Sequence, residues 1–223
     1  MPQINKDTYS TFHISKWITE GREKLYQRLL QHIDINTIST ILDIGATSDQ
    51  KNEDSNFFIK KFAGKKHITA LSNEDAHWLE KEYPGLHFVP GDGRDMPFPD
   101  NSFDLVLSNA VIEHVGNLQQ QERFLLESMR VAKKGIFLTT PNRWYPIELH
   151  TLFPIIHYLP KSLHRKLLHL FGHEFLAQEE NLNLLDSRTL ENILRKNAIE
   201  NYHIGTISFF GLPSNIYVYI KKL

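Results

Sequence analysis

The sequence predicts one α/β domain: a doubly wound, seven-stranded, mostly parallel sheet with helices on both faces and a helical lid, within 223 residues. Three observations predict it. Thr40–Ser48 (T-I-L-D-I-G-A-T-S) is an apolar β-favouring run closed by Asp43, broken by Gly45 and followed by small residues, the pattern of a first strand-loop-helix. Strand-like and helix-like segments then alternate, which calls for parallel strands joined by right-handed crossovers. Finally, Ser102–Ser108 (S-F-D-L-V-L-S) is nearly all apolar, as a strand buried on both faces should be.

Residues 12–33 read as two helical pieces around Gly21, with Leu25, Leu29, Leu30 and Ile33 as an apolar stripe at helical spacing. The first strand and its loop follow. After polar Asp49–Glu53, Asp54-Ser55-Asn56 reads as a helix cap region, with Phe57, Phe58, Ile59 and Phe62 as the buried face. His67–Leu71 is the second strand, Glu74–Tyr83 a helix stopped by Pro84-Gly85, and Leu86–Val89 the third strand, ending at Pro90-Gly91-Asp92-Gly93. After the fourth strand, Gln119–Ala132 is a helix and Gly135–Thr140 the fifth strand. Trp144–Glu180 breaks the rhythm with prolines, aromatics and five histidines, and reads as short broken helices. Ser187–Asn197 is a helix capped by Ser187. Tyr202–Phe209 and Ile216–Ile220 close the chain as strands joined by Gly211–Asn215, a turn short enough for antiparallel neighbours. The division is therefore 1–38 as an N-terminal helical cap, 39–141 as the alternating strand-helix core, 142–183 as the helical insertion or lid and 184–223 as the last helix and two strands.

Composition bounds the function. The chain is 41% hydrophobic with a net charge of −1, and no basic run approaches a phosphate-binding stripe, so no nucleic-acid partner is expected. Without cysteine there is no disulfide, thiolate metal site or cysteine nucleophile, which fits a reducing compartment. Met1–Tyr9 is polar and lacks the apolar core of a secretory signal, and no stretch approaches the roughly 18–20 apolar residues of a membrane span. A cytoplasmic location is the expectation.

The motifs together resemble the class I S-adenosylmethionine-dependent methyltransferases, in particular the small type-11-like group. The carriers are I-L-D-I-G-A at 41–46, F-V-P-G-D-G-R-D-M-P-F-P-D at 88–100, S-F-D-L-V-L-S-N-A-V-I-E-H-V at 102–115 and R-V-A-K-K-G-I-F-L-T-T-P-N at 130–142. The resemblance implies strand order 3-2-1-4-5-7-6 with the last strand antiparallel, and S-adenosyl-L-methionine held at the carboxyl ends of strands 1 to 4, where open α/β sheets bind ligands. S-adenosyl-L-homocysteine is then the product. It further implies that Asp43, Gly45, Ala46 and Thr47 form the first cofactor loop, and that Asp92 accepts from the adenine N6 amino group while the Gly93 N–H faces N1. Arg94 stands beside them in the same motif. Ser108 and Asn109 are implied to hold the methionine part.

Two departures from the family stand out. Thr47 occupies the place of the family loop's second glycine, and a polar insert follows. The acid that usually grips the ribose hydroxyls is replaced by Ser72, with Asn73 and Glu74 behind it. The implied activity is methyl transfer to a small-molecule, glycan or lipid-linked acceptor, with oxygen as the expected target. An oxygen acceptor must lose a proton, and His114, His150 and His173 are the candidates to take it. The scattered histidines give no metal assignment. The apolar lid and the basic run Lys161, His164, Arg165, Lys166 suggest a peripheral membrane contact. Two other classes fit parts of the sequence: a cofactor-binding regulatory module without turnover, and an NAD-dependent oxidoreductase, whose G-x-G-x-x-G is missing after strand 1.

Overall fold

The computed structural model describes residues 12–52 and 54–222, so Met1–Tyr9 and Glu53 lie outside the described residues. Seven strands form one sheet: β1 (Thr40–Ile44), β2 (His67–Ser72), β3 (His87–Pro90), β4 (Phe103–Asn109), β5 (Ala132–Pro141), β6 (Tyr202–Phe209) and β7 (Leu212–Lys221). Their order is β3-β2-β1-β4-β5-β7-β6. The pairs from β3 to β5 are parallel, while β7 runs antiparallel to both neighbours. The expected topology is therefore present, with β7 longer than the five apolar residues that announced it. Its link to β6 is a tight turn at Phe210 and Gly211, both at positive φ (50° and 76°), which matches the right-handed twist of the flanking strands.

Alternation along the strands divides the core into two layers. Leu42, Ile44, Val106, Ile136, Leu138 and Val218 face α4 (Leu118–Val131) and α6 (Ser187–Lys196) through Phe124, Leu125, Leu190 and Leu194. Ile41, Ile68, Leu105, Leu107 and Phe137 face α1 (Phe12–His32), α2 (Phe57–Phe62) and α3 (Trp78–Glu82) through Leu29, Phe58, Phe62 and Leu79. Each fully buried Leu or Phe contributes about 1.5–3 kcal/mol, so the layers fix both register and strand order.

Four local expectations are corrected. The first helix is continuous through Gly21. This glycine is a contact, not a break: an added Cβ would lie 2.7 Å from the Phe209 ring on β6. The helix expected from Glu74 starts only at Trp78. Local side-chain bonds hold the intervening backbone, with Ser72 Oγ accepting from the Glu74 N–H and Asp75 Oδ1 from the His77 N–H, and these compete with a helical first turn. Phe57, expected in the core, is only half-buried, unlike Phe58, Ile59 and Phe62. The cap of α6 is Asp186, one residue earlier than Ser187, its Oδ1 accepting from the Thr189 N–H at 2.7 Å.

After β5 the chain forms a 3-10 turn at Ile156–Tyr158 and α5 (Lys161–Leu170), with a small core of Leu168, Leu176, Leu182 and Leu184 against which Phe153 and Ile156 pack. This segment leaves β5 at the edge of the sheet where β1 to β4 also end. No helix among the described residues is long and apolar enough to cross a membrane.

Candidate functional site

Parallel register brings the ends of four strands together, Ile44 opposite Leu71 and Ser108, and Ser72 opposite Pro90. Just beyond β1, Gly45 is exposed at φ +92°, and its N–H donates to the Leu71 carbonyl at 2.8 Å. The direction a Cβ would take is already filled, because Val111 Cγ2 would lie 2.2 Å away. The glycine thus lets the loop after β4 close on the loop after β1, and it leaves its own backbone open to solvent. Ala46 is buried behind it.

Thr47 takes the loop on a path of its own. Its N–H donates to Asn56 Oδ1 at 2.9 Å, and Asn56 Nδ2 returns a bond to the Thr47 carbonyl at 3.0 Å. Asn56 is therefore a loop clamp in the left-handed region and makes no side-chain cap for α2. Glu74 reaches back to Ser48 and Thr47. Ser72 is buried at the end of β2, while Asn73 is exposed beside it.

Asp43 is buried with no hydrogen bond to its carboxyl among the described residues, and burial pushes its pKa up to about 7. Asp92 is exposed beyond β3 and gripped by Arg94: Nε donates to both carboxylate oxygens at 2.9 and 3.0 Å, and Nη2 to Oδ2 at 2.6 Å. These bonds, opposed by partial burial, hold the Asp92 carboxyl below its usual range. Arg94 Nη1 also donates to the Val115 carbonyl at 3.1 Å, which ties the β3 loop to the β4 loop. Gly93 is pressed on Phe124, whose Cε2 lies 2.5 Å from where a Cβ would be. At the end of β4, Ser108 Oγ is buried without a partner, and Asn109 Oδ1 accepts from Thr139 Oγ1 at 2.7 Å.

Beyond β4, a 3-10 turn at Ile112–His114 meets the segment after β5. His114 Nδ1–H donates to the Asn181 carbonyl at 2.6 Å, and His150 Nδ1–H donates to Glu148 Oε1 at 2.6 Å. A carbonyl or carboxylate partner fixes the proton on each Nδ1 and turns each Nε2 inward. The two Nε2 atoms stand 3.0 Å apart. Glu113 Oε1 is buried without a hydrogen bond, 4.0 Å from His114 Nε2 and 3.8 Å from His150 Nε2, while Glu113 Oε2 accepts from Thr140 Oγ1 at 2.9 Å. Glu148 also accepts from the Thr151 N–H and hydroxyl.

The electrostatics follow from burial and pairing. Burial, with His150 nearby, drives the His114 pKa down to about 4 and keeps that ring neutral. Burial also disfavours the charged form of His150, but the Glu148 carboxylate overrides it and the net shift is upward. Burial raises Glu113 to about 7 against the attraction of His150.

His114 and His150, two of the three histidine candidates, are therefore in contact. His173 is not in this cluster; its ring lies edge-on to Phe153 at 5.2 Å. The basic run is less cationic than its sequence: His164 is buried with its pKa lowered to about 4 by burial, and Arg165 pairs with Glu179 at 3.1 Å. Sequence reasoning missed Glu113 and Glu148 as partners of the histidines. The adjacent Glu113-His114 and the Glu148-x-His150 spacing were visible signals, but their meeting depends on the fold. Asp104, at the other end of β4, accepts from the Ser39 N–H at 2.8 Å and pairs with Lys134, a structural role. A shallow cavity of about 440 Å³ also lies at that opposite end, lined by Ser39, Lys66 and Leu86 among others. It is away from every strand terminus that open α/β sheets use for ligands.

The Ser108 hydroxyl, orphaned on the α4 face, and the Asp43 carboxyl, on the α1 face, flank the end of the sheet from its two sides, one register step apart on neighbouring strands, where Gly45 exposes its backbone. A ligand bearing an ammonium and hydrogen-bonding groups, as S-adenosyl-L-methionine does, fits that donor and acceptor set.

Comparison with known proteins agrees with this geometry. Residues 57–139 match the family model described as a methyltransferase domain. Ajmaline N-methyltransferase of Rauvolfia serpentina is 54% identical over 50 residues, 22% of this chain and 16% of that protein. Sterol 24-C-methyltransferase of Gibberella zeae is 32% identical over 140 residues, 56% of this chain and 34% of that protein. The matches thus cover well under half the length of these relatives. A solved S-adenosylmethionine-dependent methyltransferase of Methanosarcina mazei shares the fold with a TM-score of 0.57 at 17% identity, over 87% of this chain and 96% of that one. Strand order, motif order and these matches converge: residues 57–139 carry a methyltransferase domain, the fold is the one the solved S-adenosylmethionine-dependent methyltransferases share, and S-adenosyl-L-methionine is the cofactor this likeness implies.

Proposed function

We propose that this protein transfers a methyl group to an oxygen of a small-molecule, glycan or lipid-linked acceptor. The observation that carries the oxygen assignment is the buried convergence of Glu113, His114 and His150 just past the end of β4. A polar cluster is costly to bury without a task, and a neutral amine acceptor, nucleophilic before it loses a proton, has less need of one. The bound cofactor supplies an activated methyl on a sulfonium, whose leaving group departs neutral.

The chain's residues position and desolvate. Asp43 receives the cofactor's amino group, and that cationic partner stabilises the ionised carboxylate against burial. Gly45 and Ala46 offer backbone to the methionine part, with Ser108 Oγ as a donor and Asn109 fixed beside it by Thr139. Ser72 and Asn73 receive the ribose hydroxyls, while Thr47, held by Glu74 and Asn56, shapes the loop above them. Asp92, held by Arg94, accepts from the adenine amino group and Gly93 offers its N–H. Residues 142–183 form the lid over the acceptor. Exclusion of water beneath it strengthens each of these contacts.

Calorimetric titration with S-adenosyl-L-methionine, S-adenosyl-L-homocysteine and NAD tests the cofactor, and label transfer to a panel of hydroxyl-bearing acceptors tests the oxygen assignment. Saturable NAD binding with no response to either sulfur nucleoside would overturn the reading. Cofactor binding without transfer to any acceptor would favour a regulatory module.

A further inference from the structure

We propose that Glu113, His114 and His150 form a binding site for one divalent transition-metal ion, of the zinc, iron or manganese class. One oxygen and two imidazole nitrogens lie within 4.8 Å of one another, one from each residue. Three features make this more than a chance grouping.

The first is the orientation of the rings. Metal-binding histidines commonly donate their other N–H to a carboxylate or a backbone carbonyl, which fixes the tautomer and aims the free lone pair. His150 does the former through Glu148 and His114 the latter through the Asn181 carbonyl. Glu148 is itself held by three further donors, the His150 and Thr151 N–H groups and the Thr151 hydroxyl.

The second is the orphaned oxygen. Glu113 has no exposed side-chain surface, yet its Oε1 has no hydrogen-bond partner and faces both Nε2 atoms. Its other oxygen is anchored by Thr140, so the carboxylate is aimed. A buried acceptor left unmatched is costly, and a cation between the three atoms removes that cost.

The third is spacing. Bonds of about 2.0–2.1 Å at tetrahedral angles put ligand atoms about 3.4 Å apart. The observed separations of 3.0, 3.8 and 4.0 Å bracket that value, so adjustments of a few tenths of an ångström would seat the ion. Two imidazoles and one carboxylate suit transition ions better than magnesium or calcium, which prefer all-oxygen shells. Three protein ligands leave at least one position open. The His114 side chain keeps 24% of its surface exposed, so the cluster lies one ring away from solvent. Resting on the oxygen-transfer reading, that position would take the acceptor's oxygen.

The test uses the full chain after chelator treatment, titrated calorimetrically with Zn²⁺, Mn²⁺ and Mg²⁺ in the absence of cofactor. One equivalent of Zn²⁺ or Mn²⁺ should bind and raise the melting temperature, with Mg²⁺ far weaker. His114→Gln and His150→Gln should abolish saturable binding, Glu148→Gln should weaken it about tenfold or more through the His150 ring, and His169→Gln, an exposed histidine outside the cluster, should bind as the wild type does. Because a buried variant can fail to fold, Co²⁺ is added to the wild type as well, where d–d absorption bands of a low-coordinate site with nitrogen ligands are expected. No saturable binding and no such spectrum would overturn the proposal, as would binding unchanged in folded His114→Gln. Metal binding without any cofactor binding would sink the methyltransfer reading and leave the site standing; the reverse result would sink the site alone.

Discussion

Glu74 turns its carboxylate back onto Ser48, with Oε2 accepting from both the Ser48 N–H and the Ser48 hydroxyl at 3.0 Å. The residue behind the end of β2 therefore braces the loop after β1, in a chain where Thr47 replaces the loop's second glycine. Glu74→Ala should loosen that loop and raise the cofactor dissociation constant about tenfold, equivalent to roughly 1.4 kcal/mol. Titration calorimetry reads this directly. An unchanged affinity would mean that the loop holds its shape through Asn56 alone.

Asp92→Ala should weaken cofactor binding by about 1–3 kcal/mol, the scale of a lost hydrogen bond to a charged group. Its pairing with Arg94 is about half exposed, so the melting temperature without ligand should move little. Arg94→Lys is a sharper probe. An ammonium cannot reproduce the fork that holds both oxygens of Asp92, so affinity should fall while the charge is kept. A folded Asp92→Ala with wild-type affinity would return Asp92 to the status of a turn residue.

Asp43 links stability to pH. Its folded pKa is about 7 against 3.8 for the free side chain, with burial as the cause. Below about pH 4 both states are protonated and burial carries no charge penalty. Between about pH 4 and 7 the unfolded chain ionises while the folded one keeps its proton, so stability falls as pH rises; above about 7 the loss is complete. Asp43→Asn should match the wild-type melting temperature near pH 4 and exceed it near pH 8, where the gain in unfolding free energy is about 4 kcal/mol at the upper limit. Its cofactor binding should fall. Thermal melts across that range decide it; parallel curves for the two proteins would show that Asp43 is not titrating as described.

Gly45→Ala should destabilise the fold by about 1–3 kcal/mol, since its φ is +92° and the new Cβ meets Val111 at 2.2 Å. Adding Val111→Ala should relieve the steric part and leave the backbone part. Denaturant melts of both singles and the double measure this coupling. Strict additivity would rule out the contact as the cause.

Apolar residues after β5 fall into two kinds. Phe153 and Ile156 pack on Leu168, Leu176, Leu182 and Leu184, so Phe153→Ser and Ile156→Ser should lower the melting temperature through lost packing. Ile155 and Leu170 are 60% and 75% exposed, so Ile155→Ser and Leu170→Ser should leave it unchanged. If the acceptor is lipid-linked, the second pair should reduce co-sedimentation with liposomes. No effect on sedimentation would point to a water-soluble acceptor.

The sheet was legible because its information is local and repeated: each apolar run, each closing Asp or Gly and each helix-like stretch between them points the same way. Gly21 was misread because only the distant Phe209 ring explains it, and the start of α3 because the bonds of Ser72 and Asp75 win against helical spacing. The candidate loop residues were visible as motifs. The histidine cluster was only half visible: Glu113 and His114 are neighbours in sequence, but the β5 crossover and the segment after it bring in Glu148 and His150.

The insertion of β7 between β5 and β6 has a consequence for synthesis. Leu138 pairs with Val218 across the whole intervening segment, so β5 stays an open edge until residues 212–221 have left the ribosome. During that interval an apolar strand offers its free amides to any passing chain. Pausing or premature termination before Leu212 should therefore yield nascent chains that depend on chaperones.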